Sequence, residues 1–225
     1  MKTLIVAAIR CCLMFLLPTV AYAISAQWDL DPISGDWNTA ANWTPMGVPN
    51  GPADIATFAL SNTTGVSIST NTEVNGITFT SAATNPYTIT ASAGFTLTLS
   101  GIGITNNSGI TQNFATALGG EIRFTNSATA GSSGITNNGG TVSGQAGGFT
   151  RFFDTSSAGS ASITNKGTAL SDSVSGITDF QDSSTAGSAS ITNESGAGAA
   201  ALRYLSPEPT PAMQSSLAMA RQSPA

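Results

Sequence analysis

From Ile55 onward, large apolar residues alternate with small or polar ones at a period near two. Phe58 with Leu60, Val66 with Ile68, Ile77 with Phe79 and Tyr87 with Ile89 follow it, and Phe95-Thr-Leu97-Thr-Leu99 and Ile102-Gly-Ile104 extend it. Alternation with threonine suits a half-buried strand, one face apolar and the other a β-branched polar ladder. Asn-Gly, Asn-Pro and Ser-Gly pairs punctuate the runs as turns. No sustained helical stripe of apolar residues occurs between 55 and 200, so this region is predicted to be all β.

An internal repeat sharpens that expectation. The phrase that runs from Phe124 through Gly131 to Ile135 and Asn137 returns at Phe152, Gly159, Ile163 and Asn165, and again at Phe180, Gly187, Ile191 and Asn193. The offset is 28 residues each time, and Gly120, Gly148 and Gly176 keep the same register. Ala-Gly-Ser-Ala-Ser-Ile-Thr-Asn is identical at 158–165 and 186–193, with Ile104-Thr-Asn106 a fainter echo upstream. Each unit offers one Phe and one Ile as its main apolar anchors, too little to order about 28 residues alone. Units of this period bury their apolar face by stacking on their neighbours.

The predicted fold is therefore a right-handed parallel β-helix, a solenoid in which Phe lies over Phe and Ile over Ile at a spacing of about 4.8 Å. Asn137, Asn165 and Asn193 should form an amide ladder at a coil corner. The recurring glycines should serve positive-φ backbone positions. Disordered tandem duplication and a β-sandwich are the two competing arrangements.

The rest of the chain divides around this core. Residues 24–60 hold all three tryptophans, Trp28, Trp37 and Trp43, among turn signals, and are read as a packed N-terminal cap. Residues 61–198 are the β-helix, with the 28-residue period from about 120. Residues 199–225 carry four prolines and no Ile-Thr-Asn phrase, and are read as a flexible or aberrant tail. A solenoid that ends without a polar cap invites self-association through that end. One expectation is that the chain is a truncated or frame-shifted version of a longer repeat protein.

Residues 1–23 read as a secretory signal peptide. Lys2 precedes an apolar run from Leu4 to Leu17, broken only by Arg10, and Ala21-Tyr22-Ala23 offers the small-x-small cleavage pattern. The run is too short to span about 30 Å of hydrocarbon. Cleavage after Ala23 removes both cysteines, Cys11 and Cys12, and the mature chain is expected to hold no transmembrane segment. It would also lack any disulfide or Cys-based metal site, and the sequence has no histidine. The formal charge is −5, with 7 basic and 12 acidic residues, and no Lys/Arg cluster occurs, which disfavours nucleic acid as a partner.

Three stretches resemble bacterial autotransporter-type passenger proteins. They are Ser34-Gly-Asp-Trp37-Asn-Thr-Ala-Ala-Asn-Trp43-Thr-Pro-Met-Gly-Val-Pro49-Asn-Gly-Pro-Ala-Asp54, Gly101-Ile-Gly-Ile-Thr-Asn-Asn-Ser-Gly-Ile-Thr-Gln-Asn113-Phe, and the Ala-Gly-Ser-Ala-Ser-Ile-Thr-Asn repeats. The resemblance covers most of residues 24 to 198. It implies a parallel β-helix carried to the cell surface ahead of a C-terminal outer-membrane barrel. Residues after 198 lack the alternating strands of about 10 residues that a barrel requires.

Two functional classes follow. The first is an exported structural or adhesin-like surface module whose partners are host-cell, matrix or surface-glycan ligands. The second is a carbohydrate-binding or polysaccharide-degrading β-helix protein. For the second, Asp179 and Asp182, with Asp154 one coil earlier and Arg151 nearby, are the best catalytic candidates. An Arg151–Asp179 ion pair between adjacent coils is the plainer account of two of them. Asp29, Asp31 and Asp36 lie close in sequence as oxygen donors for a hard cation, but turn and cap roles are the expected use. The tryptophans could stack on sugars, but burial in the cap is the expected use. No catalytic, cofactor-binding or metal-binding set is assigned, and the first class is preferred.

Overall fold

The computed structural model describes residues 24–197 and the backbone of 201–204. The segment read as a signal peptide, and the tail apart from residues 201–204, lie outside the described residues. The chain winds into a parallel β-solenoid of about six turns.

Two sheets form its walls. The larger contains β1 (Ala26–Trp28), β2 (Trp43–Thr44), β3 (Gly51–Phe58), β5 (Thr72–Phe79), β7 (Thr96–Asn106), β9 (Glu121–Phe124), β11 (Phe149–Phe152), β13 (Ile177–Phe180) and β15 (Ala201–Tyr204). The smaller contains β4 (Gly65–Ile68), β6 (Thr88–Ala91), β8 (Asn113–Thr116), β10 (Gly134–Asn137), β12 (Ser162–Asn165) and β14 (Ser190–Asn193). All pairings are parallel except β1 with β2. A third line, one residue wide, runs through parallel bridges at Gly103, Thr129, Ser157 and Thr185.

The 28-residue period is a stacking period. Phe124, Phe152 and Phe180 are in register and fully buried, with successive ring centroids 4.8 Å apart and ring planes 8° and 7° from parallel. Ile135 and Ile163 pair in the smaller sheet and are likewise buried. Upstream, the pairs Gly65–Thr88, Thr88–Asn113 and Asn113–Gly134 give offsets of 23, 25 and 21. The early coils therefore share the fold without sharing the repeat length. The tail expected from residue 199 contributes one more strand, since β15 pairs in parallel with β13 and sets Tyr204 beside Phe180 in register.

Inside the coil, column composition changes along the axis. One inner column of the smaller sheet runs Ile68, Ala91, Thr116, Asn137, Asn165, Asn193. An inner column of the larger sheet runs Leu97, Ile122, Thr150, Thr178. Both pass from apolar to polar at the same level, so a polar seam forms inside the later coils. Asn137 Nδ2 donates to Asn165 Oδ1 and Asn165 Nδ2 to Asn193 Oδ1, each at 2.8 Å. The Thr150 hydroxyl donates to Asn137 Oδ1 at 2.7 Å, and that of Thr178 to Asn165 Oδ1 at 2.9 Å. A buried amide is tolerated here because its donors and acceptor are used.

The glycines at 120, 148 and 176 serve a different need from the expected one. None has positive φ, whereas Gly131, Gly159 and Gly187 do, at 59°, 62° and 60°. A Cβ at Gly148 would lie 1.9 Å from Thr116 Oγ1, and one at Gly176 would lie 2.0 Å from the Asn137 carbonyl oxygen. Close approach of one coil to the next, rather than an unusual dihedral, excludes a side chain there.

The N-terminal end is closed by aromatic packing. Trp28 and Trp43 meet edge to face at 5.0 Å, as do Trp37 and Trp43 at 4.9 Å. Phe58 touches all three indoles and hands the cluster on to Phe79 and Tyr87. The indole N–H groups donate to the carbonyls of Thr63, Pro49 and Trp37, which lets three large rings be buried without an orphaned donor.

Candidate functional site

Residues that face outward from the larger sheet form two columns. One runs Glu73, Thr98, Arg123, Arg151, Asp179; the other runs Asn71, Thr96, Glu121, Phe149, Ile177, with Thr96, Glu121, Phe149 and Ile177 paired in register. Chemistry that a β-solenoid could offer to solvent is concentrated here.

The later half of these columns is spent on itself. Glu121, whose side chain is 9% exposed, bridges Arg123 at 2.7 Å and Arg151 at 2.8 Å. Arg151 Nε also lies 3.5 Å from Asp179 Oδ2 in the next coil. Each guanidinium rests on an aromatic face, Arg151 4.4 Å from the Phe149 centroid and Arg123 5.4 Å from that of Phe153. Arg123 and Arg151 are register partners, and the Glu121 carboxylate that bonds both offsets the meeting of like charges.

The earlier half borders a shallow groove of about 430 Å³, lined by Asn50, Asn71, Thr72, Glu73, Thr96, Thr98 and Arg123. The Asn50 and Asn71 carbonyl oxygens accept the backbone N–H groups of Glu73 and Thr96 at 2.9 and 3.0 Å. Both caps fix the amides at the rim. Just beyond the groove the pairing is irregular, with register shifts between Gly51 and Ile55 of β3 and between Val74 and Gly76 of β5. These bulges give the otherwise flat wall its relief.

The candidates raised by the sequence are dispersed. Arg151 and Asp179 stand in the outer column, whereas Asp154 and Asp182 lie in the turn that follows the larger sheet, at φ of 56° and 55°. Asp154 Oδ2 accepts the Asn126 N–H at 2.7 Å, and Asp182 Oδ2 accepts the Asp154 N–H at 3.0 Å. The two carboxylates thus cap backbone in the coil below. Asp29, Asp31 and Asp36 also take separate partners. Asp29 accepts from the Thr44 hydroxyl, Asp31 from the Asn62 amide, and Asp36 from the hydroxyls of Thr39 and Ser69 at 2.8 and 2.6 Å. Among the described residues, no group of three or more metal-ligating side chains converges. The tryptophans, weighed as sugar platforms, are buried and present no face to solvent.

Sequence reasoning missed the groove. Its residues come from β5, β7, β9 and the residues just before β3 and β5, coils of unequal length. Among the described residues, no helix is long and apolar enough to cross a membrane. No protein-family model, curated protein or solved structure matches the chain.

Proposed function

We propose that this chain is an exported, adhesin-like passenger module of the bacterial cell surface, in which the solenoid is a rod for display or spacing. The observation that carries the reading is how the repeat is used: its Phe, Asn, Thr, Gly and charged positions all bond or pack to the equivalent level above or below. A unit committed to extending a rod in this way has few groups left for chemistry, so catalysis is no part of the proposal. Residues 1–23 supply the export address, with processing after Ala23, and the absence of cysteine beyond that point suits passage through an oxidising compartment. Ligands would be met by broad Ser/Thr/Asn faces on host cells, matrix or surface glycans.

The test is expression of the full chain, epitope-tagged at its C-terminus, in a Gram-negative host. The expected result is a mature N-terminus at Ile24, tag accessibility on intact cells and gained adherence to matrix-coated surfaces. An unprocessed chain retained in the cytoplasm would overturn the export reading, and display without adherence would overturn the adhesive one.

A further inference from the structure

We infer that the groove on the outer face of the larger sheet is a binding site for a neutral, hydroxyl-rich oligosaccharide. The inference goes beyond the display reading and does not depend on it. Along the outer columns, the charged groups of the later coils pair through Glu121, Arg123, Arg151 and Asp179, while most polar side chains around the groove keep donors or acceptors unused. Among the described residues, the Glu73 carboxylate, the Thr96 and Thr98 hydroxyls and the Arg123 Nη atoms have no hydrogen-bond partner; Arg123 bonds Glu121 through Nε and rests its guanidinium on the Phe153 ring. The Asn50 and Asn71 amides are held by their oxygens, which leaves their NH2 groups to donate.

Glu73 and Arg123 flank Thr98 in one column, two rungs apart, or about 10 Å at the usual strand spacing. An acceptor-only group thus faces a donor-only group across a hydroxyl, with two more donors on the rim. Neighbouring sugar hydroxyls, each able to donate and accept, complement that arrangement. A purely cationic or anionic ligand would match one end and oppose the other. The formal charge of −5 further disfavours polyanionic chains. No exposed aromatic ring lines the groove, so affinity should rest on hydrogen bonds and lie near the millimolar range.

The experiment is a titration of the isotopically labelled full chain with cellotriose, maltotriose and chitotriose, followed by amide NMR. At least one should give saturable shifts at the Asn50 and Asn71 side-chain amides and the Thr96 and Thr98 backbone. Glu73→Gln and Arg123→Met, both surface changes whose unchanged spectral dispersion reports an intact fold, should each weaken binding about tenfold. Absence of saturable shifts with all three sugars, shifts that map elsewhere, or unchanged binding by both variants would overturn the inference. So would tighter binding of an acidic trisaccharide such as trigalacturonate. Failure here leaves surface display standing, because the adherence assay reads the whole rod.

Discussion

The Asn137 carboxamide donates to that of Asn165 at 2.8 Å, although 28 residues separate them in the chain. The bond is buried, and each oxygen also accepts from a threonine hydroxyl of the opposite wall. One side chain thus ties consecutive coils together and bridges the two sheets, which makes the ladder the most sensitive polar element of the core.

Asn165→Ala should therefore be costly. It removes the acceptor of one Asn137 N–H and of the Thr178 hydroxyl, at about 1–3 kcal/mol for each orphaned donor, although Asn137 Nδ2 keeps its bond to the Ile177 carbonyl. Urea denaturation should show a loss of about 3 kcal/mol, while Asn62→Ala, an exposed amide, should stay within about 0.5 kcal/mol of the parent.

A methyl group at Gly176 has nowhere to go. Its Cβ would meet the backbone oxygen of Asn137, which cannot swing aside as a side-chain tip could. Gly176→Ala should open the coil locally and destabilise by more than about 3 kcal/mol, comparable with severe overpacking. Gly144→Ala has open space and only its φ of 74° to resist it, so about 1 kcal/mol is expected. Thermal melts of the two variants should separate clearly.

Tyr87 gives the fold an alkaline limit. Its hydroxyl donates to the Ala59 carbonyl at 2.6 Å, and burial pushes the phenol from 10.0 up to about 12, against a smaller opposing effect of the Ser61 hydrogen bond. Above pH 10 the unfolded chain releases a proton that the folded chain keeps, so stability falls as pH rises through that window. The loss should reach about 2 kcal/mol by pH 12, where the folded phenol is itself half ionised. Tyr87→Phe should flatten this part of the profile in denaturation measured against pH.

The bridging carboxylate at Glu121 should outweigh either of its partners. Glu121→Gln leaves two guanidiniums facing each other and should cost about 2 kcal/mol, with the loss reduced at high salt. Arg151→Met leaves Glu121 paired with Arg123 and should cost less. A double-mutant cycle on Glu121 and Arg151 should return a coupling of about 1 kcal/mol; zero coupling would make the pair inert.

How much of this was legible depended on which coil was read. From Phe124 onward, identical words at one spacing revealed the Phe stack, the Asn ladder and the Arg151–Asp179 juxtaposition, because equal coil lengths turn sequence offset directly into spatial contact. Upstream, unequal coils break that translation. Ile104-Thr-Asn106 looks like Ile135-Thr-Asn137, yet Gly103 bridges Thr129, while Ile135 stacks on Phe114 in the other sheet.

Alternation also misled where the strand changes direction. Ile102 and Ile104 share a parity in the sequence, but Gly103 at φ 79° re-aims the chain, leaving Ile102 49% exposed and Ile104 buried. Leu60 and Phe95 are similarly half outside. The groove was invisible because its residues meet only through pairings between coils of different length. The tryptophan cap was legible from composition and turns, but the part of Phe58 in joining it to the first coils was not.

The common register of all these columns has a further meaning for how such a chain can change. Excision of residues 149–176 would join Gly148 to Ile177, set Asn193 on Asn137 and place Asp179 against Arg123, opposite in charge. Phe180 would then rest on Phe124. The Phe stack and the Asn ladder would re-form across the join, with the Glu121–Arg151 and Lys166–Glu194 ion pairs lost, and the rod would be shorter by one rung of about 4.8 Å. Length is thus a quantity that recombination between repeats can adjust in whole steps, without a newly evolved seam.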